Sequence, residues 1–305
     1  MKPDLSVKIG SLELKNPVIT ASGTFGYGLE YNDYFDPALL GGIVTKTVTL
    51  EPRTGNPMPR IAETPAGLLN SIGLANVGAE QFIESKLPEL KDLDTAVIAN
   101  IAGNTVEDYC TLLEKIADHP RVDAIEVNVS CPNVEQGGLA FGADPDVIEE
   151  LLHCLRPQTE KPLIVKLTPN VTDIQSIAKA AESAGADALS LINTVLGMAI
   201  DIQSRKPLIA RKIAGLSGPA IKPIAVAKVF QAAQVVSIPV IGLGGIMTGQ
   251  DAIEFIIAGA SAVQVGTLNF VNPEGALQVI AGIESYCREH GVKQVRDLVG
   301  TLAEV

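Results

Sequence analysis

Aromatic residues are scarce in this chain of 305 residues, and tryptophan is absent. Only 4% of the residues are aromatic although 47% are hydrophobic, so the core must be built from aliphatic side chains. Such cores are typical of parallel sheets that are covered by helices. The length allows one large domain or two average ones, and α/β barrels commonly fill it as one.

Basic residues are also fewer than acidic ones. Lys and Arg number 23 against 35 Asp and Glu, which gives a net charge of −12. A nucleic-acid-binding protein needs a basic surface to displace counterions from phosphates, so this balance argues against nucleic acid as a partner. It is compatible with a protein that acts on small molecules.

Long apolar runs and export signals are missing too. No window contains eighteen uninterrupted apolar residues, which argues against a membrane-spanning helix. The segment Met1–Val7 has neither the apolar stretch nor the cleavage site of a secretory signal. We therefore expect a cytoplasmic protein with no membrane partner.

Cysteine is rare and dispersed, with four residues and no C-x-x-C pair. This spacing argues against zinc and iron–sulfur sites, so no metal is expected. Cys110, Cys154 and Cys287 fall in helical patterns, where we expect buried, unreactive thiols in a reducing compartment. Cys131 differs from them, because it follows a strand-like run and precedes a loop that contains glycine.

Short apolar runs that resemble buried strands recur along the chain, after a predicted hairpin of Val7–Ile9 and Leu12–Leu14. The eight runs are Val18–Ala21, Gly42–Val48, Ala96–Ala102, Ala124–Cys131, Leu163–Leu167, Ala188–Asn193, Val240–Gly244 and Ala262–Leu268. Helical patterns separate most of them, at Thr105–Ala117, Asp144–Leu155, Asp173–Ala184, Ile224–Val235, Gly249–Ala258 and Asn272–His290. This alternation predicts a TIM (β/α)₈ barrel, with a doubly wound open sheet as the alternative. We expect residues 1–305 to form a single domain.

Two connections are longer than the others. One runs from Thr49 to about Ala75 after the second strand, and the other from Thr194 to about Lys222 after the sixth. Both would leave the C-terminal mouth of a barrel. Long loops in a compact domain are usually functional, so we expect both to border a site.

Polar side chains lie at the ends of strands that are otherwise aliphatic. They are Lys46, Asn100, Asn128, Cys131, Lys166 and Asn193. Catalytic groups of a barrel come from these strand ends. Two buried lysines with no acidic neighbour in the strands would require an anionic ligand, unless each points to solvent. Glu126, deeper in the fourth strand, has no evident role.

Glycines lie at the ends of the last two strands, in Gly242–Ile246 and at Gly266, which is followed by Thr267. Gly218 adds a third candidate from the long connection after strand six. Such glycines let backbone N–H groups contact a phosphate at this position in the barrel. Together with the lysines they favour a phosphorylated cofactor. Flavin mononucleotide (FMN) fits, because Lys166 could stabilise its reduced anion.

Six motifs together resemble the soluble class 1 of the dihydroorotate dehydrogenase family. They are N-x-S-C-P-N at Asn128–Asn133, T-K-T at Thr45–Thr47, N-S-I-G-L at Asn70–Leu74, I-N-T at Ile192–Thr194, L-S-G-P-A at Leu216–Ala220 and G-L-G-G-I at Gly242–Ile246. Cysteine replaces the serine base of the membrane-associated class 2. The segment Glu135–Gly142 resembles the NAD-linked class 1B catalytic subunit rather than the fumarate-using class 1A.

The resemblance implies one FMN per chain and a bound dihydroorotate or orotate. The implied FMN-binding residues are Ser22, Lys46, Thr47, Asn100, Asn128, Lys166, Ile192, Gly218, Gly244, Gly245, Gly266 and Thr267. The implied substrate-binding residues are Lys46, Asn70, Ser71, Ile72, Gly73, Leu74, Asn128, Asn133, Asn193 and Thr194. Asparagine suits a pyrimidinedione because its amide both donates and accepts hydrogen bonds.

The resemblance also implies a mechanism and a partner. Cys131 would be the catalytic base that removes the C5 proton of dihydroorotate in pyrimidine biosynthesis. The chain has no dinucleotide-binding fingerprint and no cysteine cluster, so it is not expected to reduce NAD alone. A separate subunit with FAD and a [2Fe–2S] cluster would do so, in a heterotetramer of two copies of each chain around a homodimer.

Other interpretations remain open from the sequence alone. One is a fumarate-dependent class 1A enzyme, and another is a subunit of dihydropyrimidine dehydrogenase, although Asn133 stands where that family typically has histidine. A phosphosugar aldolase or isomerase would use Lys166 to form a Schiff base. A binding scaffold would leave the buried lysines unexplained. Arg53 and Arg60 could guard the entrance or be solvated.

We predict that Cys131→Ser slows flavin reduction by dihydroorotate steeply at neutral pH and that the rate recovers as the pH rises. The thiolate is the active base, and a serine hydroxyl gives up its proton far less readily. Anaerobic stopped-flow absorbance across a pH series measures this rate. Wild-type rates in the variant at neutral pH would contradict the assignment of Cys131 as the base.

Overall fold

Eight parallel strands close into a barrel in the computed structural model, which describes residues 2–130, 132–133 and 139–303. In chain order the barrel strands, numbered 1 to 8 below, are Val18–Thr20, Gly42–Val44, Ala96–Ile101, Ala124–Asn128, Leu163–Lys166, Ala188–Leu191, Val240–Leu243 and Ala262–Val265. Strand 8 pairs with strand 1, which closes the sheet. The expectation of a (β/α)₈ barrel is therefore confirmed, and the open-sheet alternative is wrong.

Helices surround the barrel, and four of the six longer ones begin after a residue whose side chain caps them. The longer helices are Val106–Ile116, Pro145–Leu155, Ile174–Ser183, Lys222–Ala233, Gly249–Ile257 and Gly275–Glu289. Thr105 and Thr248 each form a reciprocal capping box with the aspartate three residues later, and Asp144 and Asp173 accept backbone N–H bonds. These caps satisfy donors that the first helical turn leaves unpaired. The predicted helix boundaries hold to within a few residues.

A helical segment between strands 2 and 3 has no counterpart in the predictions. It consists of Gly78–Gln81, a π-helical turn at Phe82–Lys86, and Leu87–Glu89. Its apolar side chains are few and Pro88 interrupts the pattern, so the helical period is weak in the sequence. A short helix, Leu268–Val271, also follows strand 8 directly.

The predicted hairpin of Val7–Ile9 and Leu12–Leu14 is present and lies at the N-terminal end of the barrel. A side chain added at Gly10, the turn residue, would meet Asp187 and Pro162. These two residues precede strands 6 and 5. The hairpin therefore covers the barrel at the end opposite the predicted site.

The sequence predicts that the two long connections are loops, but parts of both form strands. They contribute the strands Ile61–Thr64, Gly67–Asn70, Val195–Gly197 and Ala214–Ser217, which form one antiparallel sheet. Leu69 pairs with Leu216, so the connection after strand 2 is joined to the connection after strand 6. Leu69 and Ala214 are buried in a small apolar cluster of their own, with Ile209. This packing explains how so much irregular chain is held over one end of the barrel.

Cys110 and Cys154 are not the separate buried thiols that were expected. Their helices, Val106–Ile116 and Pro145–Leu155, lie side by side, and the two residues form a disulfide with a Cα–Cα distance of 6.4 Å. The expectation was wrong because residues 44 apart in sequence become neighbours only when consecutive barrel helices pack together. Cys287 is a buried free thiol, as predicted.

Among the described residues, no helix combines the length and the apolar composition that crossing a bilayer would demand. The barrel helices are instead amphipathic, and their apolar faces pack on the outward side chains of the strands. In strand 4 these are Ile125 and Val127, both fully buried. Two helices also touch each other closely, since Gly249 and Gly282 meet backbone to backbone.

We predict that Gly282→Ala destabilises the protein although alanine is the better helix former. The new Cβ would lie 2.8 Å from the Cα of Gly249, which forces the helices Gly249–Ile257 and Gly275–Glu289 apart. Overpacking of this kind outweighs the propensity gain, so the free energy of unfolding falls by about 1–2 kcal/mol. Urea unfolding measures the change. Gly23→Ala is the control, because no atom of the described residues lies within 4 Å of the added Cβ and its φ is unstrained. Equal stability of both variants would contradict the prediction.

Candidate active site

The polar residues that the sequence predicts at strand ends, Cys131 aside, gather at the C-terminal mouth of the barrel. Asn100, Asn128 and Lys166 lie within strands 3, 4 and 5, and all three are buried. Strands 2 and 6 end earlier than predicted, at Val44 and Leu191. Lys46 and Asn193 therefore lie two residues beyond their strands, in the backbone that borders the mouth. The N–H of Lys46 is anchored on the carbonyl of Gly26 at 2.7 Å.

The buried lysine of strand 5 has an acidic neighbour, contrary to the expectation. Lys166 Nζ lies 3.2 Å from Glu126 Oε1 on the adjacent strand, and Glu126 is fully buried. The argument that Lys166 requires an anionic ligand to balance its charge is therefore wrong. The period of two that exposes Asn128 to the mouth also directs Glu126 into the barrel, so the sequence already contained the pairing partner.

Glu126 is the common acceptor for donors from four other strands. Asn100 Nδ2 donates to its Oε1 at 2.6 Å, while Ser190 Oγ and Gln264 Nε2 donate to its Oε2 at 2.9 and 2.5 Å. Lys166 Nζ also donates to Gln264 Oε1 at 3.2 Å. Sequence reasoning missed Ser190 and Gln264 entirely. The available signal was that each is a polar residue at an inward position of an otherwise apolar strand.

Asparagines of strand 4 and of the turn after strand 6 form a second cluster. Asn193 Nδ2 donates to Asn128 Oδ1 at 3.2 Å and to Ser130 Oγ at 2.8 Å. The carbonyl of Asn128 accepts a hydrogen bond from the hydroxyl of Tyr109 at 2.7 Å. Two of the predicted substrate residues are thus brought together, and their amides present donors and acceptors side by side.

The predicted glycines form a third part of the mouth. Gly218, Gly244 and Gly245 all have positive φ, at 95°, 128° and 77°, which other residues rarely adopt. A Cβ on Gly245 would lie 2.8 Å from the carbonyl oxygen of Gly218, so the two turns are adjacent. Thr267 Oγ1 donates to Ser217 Oγ at 3.0 Å, which joins the end of strand 8 to these two turns. We call this part of the mouth, with Gly218, Gly244 and Gly245, the glycine corner.

A lysine beside this corner is already neutralised. Lys222 Nζ contacts Asp251 Oδ1 at 2.7 Å and Glu254 Oε2 at 2.6 Å. These hydrogen bonds, that to Asp251 first, raise the pKa of Lys222. Burial alone would raise the pKa of Asp251, but hydrogen bonds from Lys222 and from the start of its helix outweigh burial and lower it. The candidates for binding a phosphate are therefore the backbone N–H groups of the glycines and the hydroxyl of Thr267, rather than Lys222.

The N-S-I-G-L segment is held in place by its own connection. Asn70 Nδ2 donates to the carbonyl of Gly215 at 3.3 Å, and Asn56 binds both Ser71 and the carbonyl of Ile72. Gly73 follows with a positive φ, and Leu74 adopts one as well. The segment therefore has a defined shape that is fixed by contacts within the connection.

The two arginines of the same connection are neither a free gate nor simply solvated. Arg53 Nη2 donates to Asn104 Oδ1 at 2.9 Å, which ties the connection to the loop after strand 3. Arg60 donates to the carbonyls of Thr54 and Asn56. Both side chains therefore act as braces for the connection.

The remaining predicted residues lie around the same mouth, with two exceptions. Ser22 and Thr47 are buried just past strands 1 and 2. Ile192 lies against Gly244, and a Cβ on Gly266 would meet the side chain of Ala21. Thr194 packs against Gly215. Cys131 and the side chain of Asn133 lie outside the described residues, so their predicted roles stay predictions; the backbone of Asn133 pairs with Leu139.

Taken together, a closed parallel barrel with polar groups and glycines collected at the C-terminal ends of its strands defines an enzyme of the (β/α)₈ type. The chain belongs to the dihydroorotate dehydrogenase family, whose model matches residues 4–287. The resemblance drawn from the six sequence motifs is thereby confirmed.

Similar proteins cover the chain almost from end to end. A protein of Geotalea daltonii is 56% identical over 301 residues, and one of Alkaliphilus metalliredigens is 54% identical over 301 residues; the match spans 99% of this chain and 99% of each relative. A protein of Parabacteroides distasonis is 54% identical over 299 residues, 98% of both chains. All three relatives are called dihydroorotate dehydrogenase B (NAD(+)), catalytic subunit.

Proposed function

We propose that this chain is the catalytic subunit of an NAD-linked dihydroorotate dehydrogenase. It oxidises (S)-dihydroorotate to orotate in pyrimidine biosynthesis and acts in the cytoplasm. The observation that carries the proposal is identity of 54–56%, over nearly the whole length of both chains, to relatives that bear this name. The arrangement of the barrel mouth supports the same reaction.

The residues at the mouth suit a flavin. Asn100 Oδ1 is buried and has no hydrogen-bond partner among the described residues, so it offers an acceptor to a ligand N–H. Among the described residues, Lys166 uses two of its three N–H groups on Glu126 and Gln264, which leaves one for a ligand acceptor. A flavin presents both an N–H and acceptors along one edge of its ring. We propose that these residues bind one FMN.

The proposed FMN site extends across the mouth to the glycine corner. The phosphate would bind at Gly218, Gly244, Gly245, Gly266 and Thr267. The four glycines have no side chain to cover their backbone N–H groups, and Thr267 adds a hydroxyl. Ser22, Lys46, Thr47, Asn128 and Ile192 would line the remainder. When bound, FMN supplies the acceptor for the hydride that leaves C6 of dihydroorotate.

The asparagine cluster is the proposed substrate site. Asn70, Asn128, Asn133 and Asn193 would match the amide groups of the pyrimidine ring, while Lys46 would bind its carboxylate. Ser71, Ile72, Gly73, Leu74 and Thr194 would surround the ring. Cys131 would remove the proton from C5 as a thiolate. The mutual bonding of Asn128 and Asn193 supports this assignment, because it orients both amides before a substrate arrives.

The electrons must then reach NAD on another chain. The relatives are named catalytic subunits, and this sequence has no dinucleotide fingerprint of its own. We propose a partner subunit that carries FAD and a [2Fe–2S] cluster, in a heterotetramer of two copies of each chain. No group of side chains that could hold a metal ion occurs in the part of the chain that the structure describes.

A second copy of the chain is the proposed neighbour of an apolar surface on the connection after strand 6. This connection patch consists of Leu196, Met198, Ile200, Ile202 and Ile213, all of them exposed, with Ile202 at 80%. Large apolar side chains that one connection exposes in this number are typical of an interaction surface, and twofold dimers are the commonest oligomers. The patch would place two barrel mouths beside the dimer interface.

We predict that the purified chain is yellow and that anaerobic dihydroorotate bleaches its visible absorbance. Because no NAD site is expected on this chain, NAD should not reoxidise the flavin at a full rate until the partner subunit is added, and fumarate should be a poor acceptor throughout. Stopped-flow absorbance measures each step. A colourless protein that borohydride inactivates with a sugar phosphate would instead favour the Schiff-base alternative, and rapid fumarate reduction would favour class 1A.

We predict that the double substitution Ile202→Glu and Ile213→Glu converts a homodimer to a monomer. Two carboxylates per chain would then have to be buried without partners in the interface, which is costly. Sedimentation velocity at several concentrations measures the mass. Phe270→Glu is the matched control, since Phe270 is also an exposed apolar residue but lies on the helix after strand 8. If both variants remain dimeric, the connection patch is not the interface.

A further inference from the structure

The fully buried carboxylate of Glu126 has no part in the proposed reaction, yet it contacts two residues of the proposed FMN site. It accepts hydrogen bonds from Asn100 Nδ2 at 2.6 Å and from Lys166 Nζ at 3.2 Å, both on Oε1. Burying an ion pair is expensive unless further hydrogen bonds satisfy it. Here Ser190 and Gln264 supply them on Oε2. An arrangement so fully satisfied has a defined geometry, and that geometry extends to the residues it holds.

The hydrogen bonds to Glu126 determine which way two amides face. Gln264 Nε2 donates a hydrogen bond to Glu126, and Gln264 Oε1 accepts one from Lys166. The reverse orientation of the amide would place its N–H groups against the ammonium of Lys166. Asn100 likewise turns its nitrogen to Glu126, so its Oδ1 faces away and is left without a partner among the described residues. The carboxylate thereby makes Asn100 an acceptor and directs one Lys166 N–H toward a ligand.

We infer that Glu126 is a positioning residue that sets the donor and acceptor pattern, and the net charge, presented to the flavin by Asn100 and Lys166. The inference rests on the proposed function, since it concerns the FMN site. In this arrangement the positive charge of Lys166 is offset by Glu126, so the protein stabilises reduced FMN less than an unpaired lysine would. Glu126 thus tunes how readily the flavin gives up its electrons.

Replacing Glu126 by glutamine separates this role from simple packing. Glutamine has the same shape, but it carries no charge and only one of its two terminal atoms accepts hydrogen bonds. If its oxygen faces Asn100 and Lys166, Gln264 must turn its N–H groups toward the lysine; if its nitrogen does so, Asn100 must reverse. Every arrangement therefore disturbs the contacts of Asn100 or of Lys166, and every one leaves the positive charge of Lys166 without a carboxylate partner.

The test is a redox titration of the holoprotein with a reference dye, in wild type and Glu126→Gln. We expect the ratio of the affinities for reduced and oxidised FMN to rise at least tenfold in the variant, which is about 30 mV in the midpoint potential of a two-electron couple. A purely structural role would lower thermal stability without moving this ratio. A ratio within threefold of wild type in an FMN-loaded Glu126→Gln protein would overturn the inference.

Asp187→Asn is the matched control. Asp187 is also paired with a cation, Arg156 at 2.6 Å, and accepts a hydrogen bond from the N–H of Leu163, but it precedes strand 6 at the opposite end of the barrel. Its loss should reduce stability and leave the affinity ratio within twofold of wild type. A shift as large as that of Glu126→Gln would mean that any lost carboxylate moves the ratio, which contradicts a specific role.

A second variant keeps the inference testable should Glu126→Gln not fold. Gln264→Leu removes one contact from Glu126 and one from Lys166 and leaves both charges in place. We expect the dissociation constant of FMN to rise at least threefold, as measured by the fluorescence of released flavin. An unchanged dissociation constant would overturn the inference. If the wild-type protein itself binds no FMN, the proposed function is wrong, which is distinct from a wild-type holoprotein whose variants behave alike.

Discussion

The need to compensate one buried negative charge organises the interior of this barrel. Glu126 lies on strand 4, and the groups that satisfy it come from strands 3, 5, 6 and 8. Because an unpaired carboxylate in this position would cost several kcal/mol, these strands can adopt only a register that delivers all four donors. The same register brings Asn100 and Lys166 to the mouth. The constraint that limits the register of these strands therefore also builds the proposed cofactor site.

The mouth has two layers of different origin. Its floor is made of side chains from barrel strands, which are rigid because every strand is paired on both sides. Its wall is the antiparallel sheet in which the connection after strand 2 pairs with the connection after strand 6. A flavin on the floor and a pyrimidine near the wall would each meet the chemistry they require, with asparagines between them. The connection after strand 6 exposes the apolar side chains that the proposed second copy would cover.

Much of the fold and part of the site could be predicted because the relevant signals are local. Strand-length apolar runs, the helical patterns between them and the polar strand ends all depend on neighbours within a few residues. The errors concern long-range pairing. The local pattern offers no acidic neighbour for Lys166, because Glu126 is 40 residues away, and no disulfide partner for Cys110, because Cys154 is 44 residues away. The sheet of the two connections was missed for the same reason.

The alternation of strands and helices, the six motifs and the polar residue types at the strand ends can all be read along the chain, because each depends on residues that are close in sequence. Which of these residues become partners depends on the closed barrel. Closure of the barrel places strand 8 beside strand 1 and turns the inward residues of distant strands toward one another. Within their own strands, Glu126, Ser190 and Gln264 are single polar residues at inward positions, and no local pattern pairs them. They form one network because the barrel interior is too small to keep their polar groups apart and too dry to leave them unbonded.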